Sequence, residues 1–306
     1  SDQHSVFPRR YRRPLQFQHP NPQFERDTYT CLNGEWEFEI GKSSEKMNAS
    51  LSSKIEVPFC MESKLSGIHN TDFITDCMYS REIEVKQSDL EGRFVLHFGA
   101  VDYKTEVYVN GEKAGEHKGG YTAFEVEITP FVTVGKNRIT VVIHDDITEN
   151  VPSGKQSRKR ESFGCFYTRV TGIWQTVWLE RTPKEYIKQI KFYPNIADGS
   201  VRTEIISEGK AATEITVYYD GRQVGKATGD GYYRHDYEIK LAEKHLWEIG
   251  NGRLYDVIIK FGDDEVKSYF GLREVKFEKR KFLLNGKSIF QRLVLDQGYY
   301  TDGVYT

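Results

Sequence analysis

The chain has 306 residues, with 43 basic and 45 acidic side chains, a formal net charge of −2 and no apolar run long enough to cross a bilayer as a helix. No sequence-wide positive field draws it to nucleic acid or to an anionic membrane. Its length suits two or three domains better than one core, and its many short alternating runs between turn signals predict an all-β protein.

In chain order, residues 1 to 30 are rich in proline and arginine (PRRYRRPLQFQHPNPQFERD) and show no period. They predict an extended arm lying on the first domain, ordered by Tyr11, Phe17 and Phe24. Arg9, Arg10, Arg12 and Arg13 read as solvated charge partly paired with carboxylates, not as a nucleic-acid patch. LNGEWEFEI then sets Trp36, Phe38 and Ile40 on one face of a strand and Glu35, Glu37 and Glu39 on the other. Residues 93 to 145 repeat this alternation through Phe94, Leu96 and Phe98, then Val107 and Val109, then Phe124, Val126 and Ile128, and finally Ile139, Val141 and Ile143. Asn110-Gly111 supplies the positive φ angles of a tight hairpin. Gly119-Gly120 frees a second loop just before Tyr121.

Residues 146 to 165 are polar and charged, a long loop of the kind that often carries function. Lys155, Gln156 and Arg158 are its donors for the hydroxyls or a carboxylate of a ligand, although a solvated loop is the competing reading. The first domain ends near Thr182-Pro183. Residues 183 to 272 then carry short alternating strands, with a turn at Asp220-Gly221, and predict an immunoglobulin-like sandwich. Asn285-Gly286 predicts another hairpin, followed by the continuous apolar run Leu293 to Leu295.

The cysteines, Cys31, Cys60, Cys77 and Cys165, form no C-x-x-C pair, and no histidine cluster has zinc spacing. Buried reduced thiols are expected, which leans towards a reducing, cytoplasmic compartment, with a periplasmic or secreted location as the alternative. No metal or cofactor is expected. No nucleophile elbow, P-loop or H-E-x-x-H string occurs. Trp36, Trp174, Trp178 and Trp247 stand in alternating runs or near a domain join, where packing is the expected role.

Several strings resemble glycoside hydrolase family 2, whose members include β-galactosidases, β-glucuronidases and β-mannosidases. VYVNGEKAGEHKGGYTAFEVEITPF resembles the family's N-terminal sugar-binding jelly roll, LNGEW its opening strand and TGIWQTVWLE the end of that domain. HLWEIGNGRLYDVIIKF and YFGLREV resemble the closing strands of its immunoglobulin-like domain. FLLNGKSIF resembles the lead into its catalytic (β/α)₈ barrel. The resemblance implies a jelly roll with the arm at 1–182, an immunoglobulin-like sandwich at 183–272 and the start of a truncated barrel at 273–306. It implies a β-glycoside as ligand, with His117, Gly119 and Tyr121 in a loop facing the sugar; the aspartate some galactosidases carry there is replaced by Gly119. Asp296, Gln297, Tyr299 and Tyr300 would follow the first barrel strand and line the sugar subsite. The family's acid/base glutamate follows an asparagine, and no Asn-Glu pair occurs here, so no hydrolysis is expected of this chain alone. Residues 288 to 306 are expected to be disordered or held by another copy in a homo-oligomer. A free-standing carbohydrate-binding module or a structural β-sandwich is the alternative reading.

Overall fold

A computed structural model describes residues 19–306 of the chain. Two compact units emerge, one formed by residues 28–181 with 296–306, the other by the described residues up to Asp27 with 182–295. Strands dominate both, and the few helical turns are short 3₁₀ segments. The arginines at 9, 10, 12 and 13, with Tyr11 and Phe17, lie outside the described residues.

The first unit is a jelly-roll sandwich of antiparallel sheets. One sheet runs Ser53–Val57, Gly34–Ile40, Asp76–Val85, Gly135–His144, Lys104–Val109, Glu112–Lys118; the other runs Thr30–Cys31, Val177–Thr182, Arg93–Phe98, Phe124–Glu127. Strand alternation sends Trp36, Phe38, Tyr79, Phe94, Leu96 and Phe98 into one core between the sheets. Ile40, at the strand end, is exposed instead. The hairpin at Asn110-Gly111 forms with φ angles of 52° and 85°, joining Lys104–Val109 to Glu112–Lys118. A short antiparallel pair, Val101–Asp102 with Gly172–Ile173, forms its own ladder, with Val101 and Ile173 buried in the same core.

The second unit is an immunoglobulin-like sandwich, but its strands are not all short. Ser200–Tyr219 and Arg222–Lys240 are paired strands of 20 and 19 residues. Their register breaks between Ile206 and Lys210. Before the break the first strand pairs with Tyr186–Asn195, and after it with Tyr255–Phe261. A bulge bends a strand without ending its ladder, so one hairpin does the work of four short strands.

Two expectations about the ends of the chain are corrected. The described part of the arm packs on the second unit, not the first: Phe24 joins its core, and Glu25 bridges to Lys267. The cause is Asp264, a buried carboxylate to which Arg26 donates two hydrogen bonds, at 2.8 and 2.9 Å, while also reaching Ile187 O at 2.6 Å. A buried charge must be paired, and Arg26 supplies the fork. The far end is likewise docked within the chain. Residues 296–306 pack on the first unit, where Val304 is buried against Cys60, Ala100, Val170 and Trp174. The run before them is exposed, with Phe290 at 89% and Val294 at 92%, and Leu293 to Leu295 form no strand. The Asn285-Gly286 hairpin forms as the sequence predicts. Of the cysteines, Cys60 and Cys77 are buried free thiols, whereas Cys165 is exposed and Cys31 half-buried.

Candidate functional site

Three segments of the first unit meet beside the short strand Val101–Asp102: the loop at Gly119–Tyr121, the long loop from Ser153, and the docked end from Asp296. Asp102 is buried at their base and accepts a hydrogen bond from Gln156 Nε2 at 2.6 Å. The same carboxylate sits against Gly120, where an added Cβ would lie 2.3 Å from its Oδ1. Gly120 is therefore the glycine that close approach requires, and Gly119 contributes the turn with φ +139°. Trp174 Nε1 donates to Gly120 O at 2.8 Å and fixes the loop from the other side.

Tyr121 is thereby aimed outward at the other two segments. Its hydroxyl donates to Ser153 O at 2.9 Å and lies 2.8 Å from the Tyr305 hydroxyl, which is 2.6 Å from that of Tyr299. With Tyr121 donating to Ser153 O, the single consistent chain runs from Tyr299 to Tyr305 to Tyr121. Burial, helped by hydrogen bonding to Tyr121, raises the Tyr305 phenol well above its ordinary range. The Tyr299 ring stacks on Tyr167 with centroids 3.8 Å apart, and the Tyr305 ring lies against Trp174.

The long loop is pinned, not solvated, at its centre. Gln156 and Ser157 are buried, Val170 N donates to Gln156 Oε1, and Ser157 N donates to Tyr167 O. Lys155 stays exposed at the rim, where its Nζ donates to Gln297 Oε1 at 2.6 Å. The Tyr167 hydroxyl reaches the same oxygen at 3.4 Å.

Below this cluster lie two further acids, Glu62 buried and Asp145 half-buried. Thr171 N donates to Glu62 and Thr171 Oγ1 to Asp145. Burial pushes the Glu62 carboxyl up to about 7. Burial also raises Asp102, as does its repulsion from Asp145, whose own carboxyl rises for want of solvent. Groups held protonated are donors as well as acceptors.

Of the residues expected at a site, Tyr121, Lys155, Gln156, Gln297 and Tyr299 converge here. His117 does not join them. It stacks on Phe124 and lines a separate cleft of about 540 Å³ with Lys42, Lys104 and His144. Arg158 is exposed outside the cluster, and Asp296 caps its own turn through Gly298 N at 2.8 Å. Tyr300 is exposed too. Sequence reasoning missed Asp102, Tyr167, Trp174 and Tyr305. An aspartate inside the apolar run GAVDY was the available signal for the first. No group of acid, histidine and cysteine side chains fit for a metal occurs among the described residues.

Comparison with known proteins agrees with this architecture. The profile of "Glycosyl hydrolases family 2, sugar binding domain" matches residues 55–183. A β-glucuronidase of Streptococcus agalactiae is 27% identical over 291 residues, covering 87% of this chain and 47% of that protein. A β-galactosidase of Thermoanaerobacter pseudethanolicus is 28% identical over 237 residues, covering 69% of this chain and 30% of that one. Among solved structures, β-glucuronidase from Ruminococcus gnavus superposes with a TM-score of 0.73 at 21% identity, covering 87% of this chain and 49% of its own. The chain thus spans about half the length of the first of these relatives.

Proposed function

Since this chain belongs to glycosyl hydrolase family 2, with that family's sugar-binding domain at residues 55–183, we propose that it serves as the sugar-binding, non-catalytic portion of a retaining exo-glycosidase acting on β-linked glycosides. The observation that carries this reading is the cluster of Tyr121, Gln156, Tyr167, Gln297 and Tyr299 at one edge of that domain. Aromatic rings offer faces to a sugar ring, and amide and phenol groups offer both donors and acceptors to its hydroxyls. Residues 273–306 are assigned to the lead into the catalytic domain, so the docked end would hold catalytic domain and sugar-binding domain in register. The two glutamates a retaining glycosidase needs would come from elsewhere, because the chain has no Asn-Glu pair.

Titration of the chain with methyl β-glycosides, followed by NMR, tests the reading. Shifts are expected at Tyr121, Tyr167 and Tyr299, with no turnover of nitrophenyl glycosides. Absence of any glycoside binding, or shifts confined to the cleft beside His144, would overturn it.

A further inference from the structure

The sequence contains four Asn-Gly pairs, at 33–34, 110–111, 251–252 and 285–286. Glycine has no side chain to shield its backbone nitrogen, so in such a pair that nitrogen can close on the asparagine amide. The fold treats the four differently. In three of them hydrogen bonds hold both ends of the amide. Asn33 Nδ2 donates to Thr176 Oγ1 at 3.2 Å, and its Oδ1 accepts from Val177 N at 3.1 Å. Asn110 Nδ2 donates to Phe131 O and its Oδ1 accepts from Arg138 N, each at 2.9 Å. Asn285 does the same with Trp247 O at 2.9 Å and Glu274 N at 3.0 Å. All three asparagines are half-buried.

Asn251 is held in another way. It is exposed, as is Gly252, and the Gly252 N–H meets no acceptor among the described residues. The hydrogen-bond network turns Asn251 Oδ1 towards the Arg253 guanidinium, where it accepts from Nε at 3.2 Å and from Nη2 at 2.7 Å. The main chain fixes this arrangement. Asn251 N donates to Glu248 O at 2.9 Å, while Asn251 O accepts from Glu248 N at 3.0 Å and from Arg253 N at 2.9 Å. A cation therefore grips the amide oxygen, and no protein acceptor among the described residues holds the amide nitrogen.

We propose that Asn251 is a site of spontaneous deamidation, promoted by Arg253. Hydroxide takes the proton from Gly252 N, which attacks Asn251 Cγ and forms a new C–N bond. Negative charge then develops on Oδ1, where the two Arg253 donors already point; fixed donors at a developing oxyanion lower its barrier. The Cγ–Nδ2 bond breaks, and the nitrogen takes a proton from water and leaves as ammonia. Water opens the resulting succinimide at either carbonyl to give aspartate or isoaspartate. The new carboxylate forms beside the guanidinium that favours it. At the other three pairs the anchored amide cannot turn to meet the glycine nitrogen without losing its hydrogen bonds.

Peptide mapping by mass spectrometry, on the whole chain kept at neutral pH, follows conversion at each pair, with isoaspartate scored by methyltransferase labelling. Unfolding in urea gives the reference rates, since it removes every one of these contacts. In the folded chain Asn251 is expected to match or exceed its urea rate, whereas Asn33, Asn110 and Asn285 fall about tenfold or more below theirs. Arg253→Leu should slow Asn251 several-fold in the folded chain and leave the urea rate alone, with thermal melts reporting that the variant folds. Arg253→Gln, which keeps part of the stem, carries the same comparison if the leucine variant does not fold. Gly252→Ala, whose methyl group has room at 3.4 Å from Trp247 Nε1, should slow the reaction in both states. Protection of Asn251 equal to that of the other three, or a folded rate that loss of the guanidinium leaves unchanged or raises, would overturn the proposal.

Discussion

At the scale of single residues, the buried carboxyls dictate how the first unit responds to pH. Glu62 has a folded value near 7, above that of an exposed glutamate, because burial penalises its charge. A carboxyl raised on folding stabilises fully below its unfolded value and gives that up as pH climbs through the folded one. For Glu62 the window is roughly pH 4.5 to 7, and the full swing is about 3 kcal/mol. Asp102 and Asp145 act in the same direction. Glu106 acts oppositely. It is pushed down to about 2 by Lys113 and Lys42, so its contribution is present above about pH 4.5 and is lost as pH falls from there through 2. Thermal melts of the first unit should therefore peak in mild acid and fall towards pH 8. Glu62→Gln, which keeps an acceptor for Thr171 N, should flatten that fall; an unchanged slope would count against Glu62 as its source.

Gly120 gives a second expectation at this scale. Gly120→Ala forces a methyl group onto Asp102 Oδ1. It should cost about 1–3 kcal/mol, as overpacking does, and weaken glycoside binding, whereas Gly111→Ala, remote from the site, should leave binding alone. Residues such as Tyr121 and Gln156 were legible in the sequence because they sit in Gly-rich or donor-rich loops. Trp174 and Tyr305 were not, since an aromatic residue in an alternating run reads as core. Both do pack, and the packing is what builds the site wall.

Among elements, local turn chemistry was the clearest signal. Asn110-Gly111 and Asn285-Gly286 each demand two positive φ angles, and both hairpins form where the dipeptide stands. The bend in the second unit was hidden because a bulge needs no proline and no break in alternation; Gly209 at φ +78° and, on the partner strand, Tyr233 at φ +54° mark it. The docked end was hidden for another reason, in that its partners lie far away in sequence. Ser63 Oγ donates to Asp302 O, and Thr306 Oγ1 reaches the carbonyls of Pro58 and Trp174. Val304 is buried there at φ +62°, an unfavourable value for a β-branched residue, held by its burial. Val304→Asp would place an unpaired charge in that pocket. It should release residues 296–306 to protease and expose Trp174, seen as a red-shifted fluorescence maximum; protection equal to the unaltered chain would contradict the docking.

For the molecule as a whole, each unit draws on two separated pieces of chain. The second needs Arg26 as well as residues 182–295, and the first needs residues 296–306 as well as 28–181. The short strands and alternation gave away the class of fold. They carried no sign that the arm belongs to the second unit, since Asp264 becomes a demand for a cation only once it is buried. A fragment of residues 182–288 should consequently be less stable by about 3–5 kcal/mol than one that also carries Arg26 on a supplied peptide of residues 19–27, the cost of stranding a buried charge. Denaturant melts with and without the peptide would measure it, and coincident midpoints would refute it.

The same interleaving fixes an order of events during synthesis. Arg26 leaves the ribosome 238 residues ahead of Asp264. At translation rates of about 5–20 residues per second the arginine waits roughly 12–48 s for its partner. Ser63 waits across a gap of 239 residues for Asp302. The nascent chain therefore cannot close one unit and move on to the next. It emerges with the groove around Trp174 uncovered and with Phe24 lacking its core, and both surfaces are what a holdase chaperone binds.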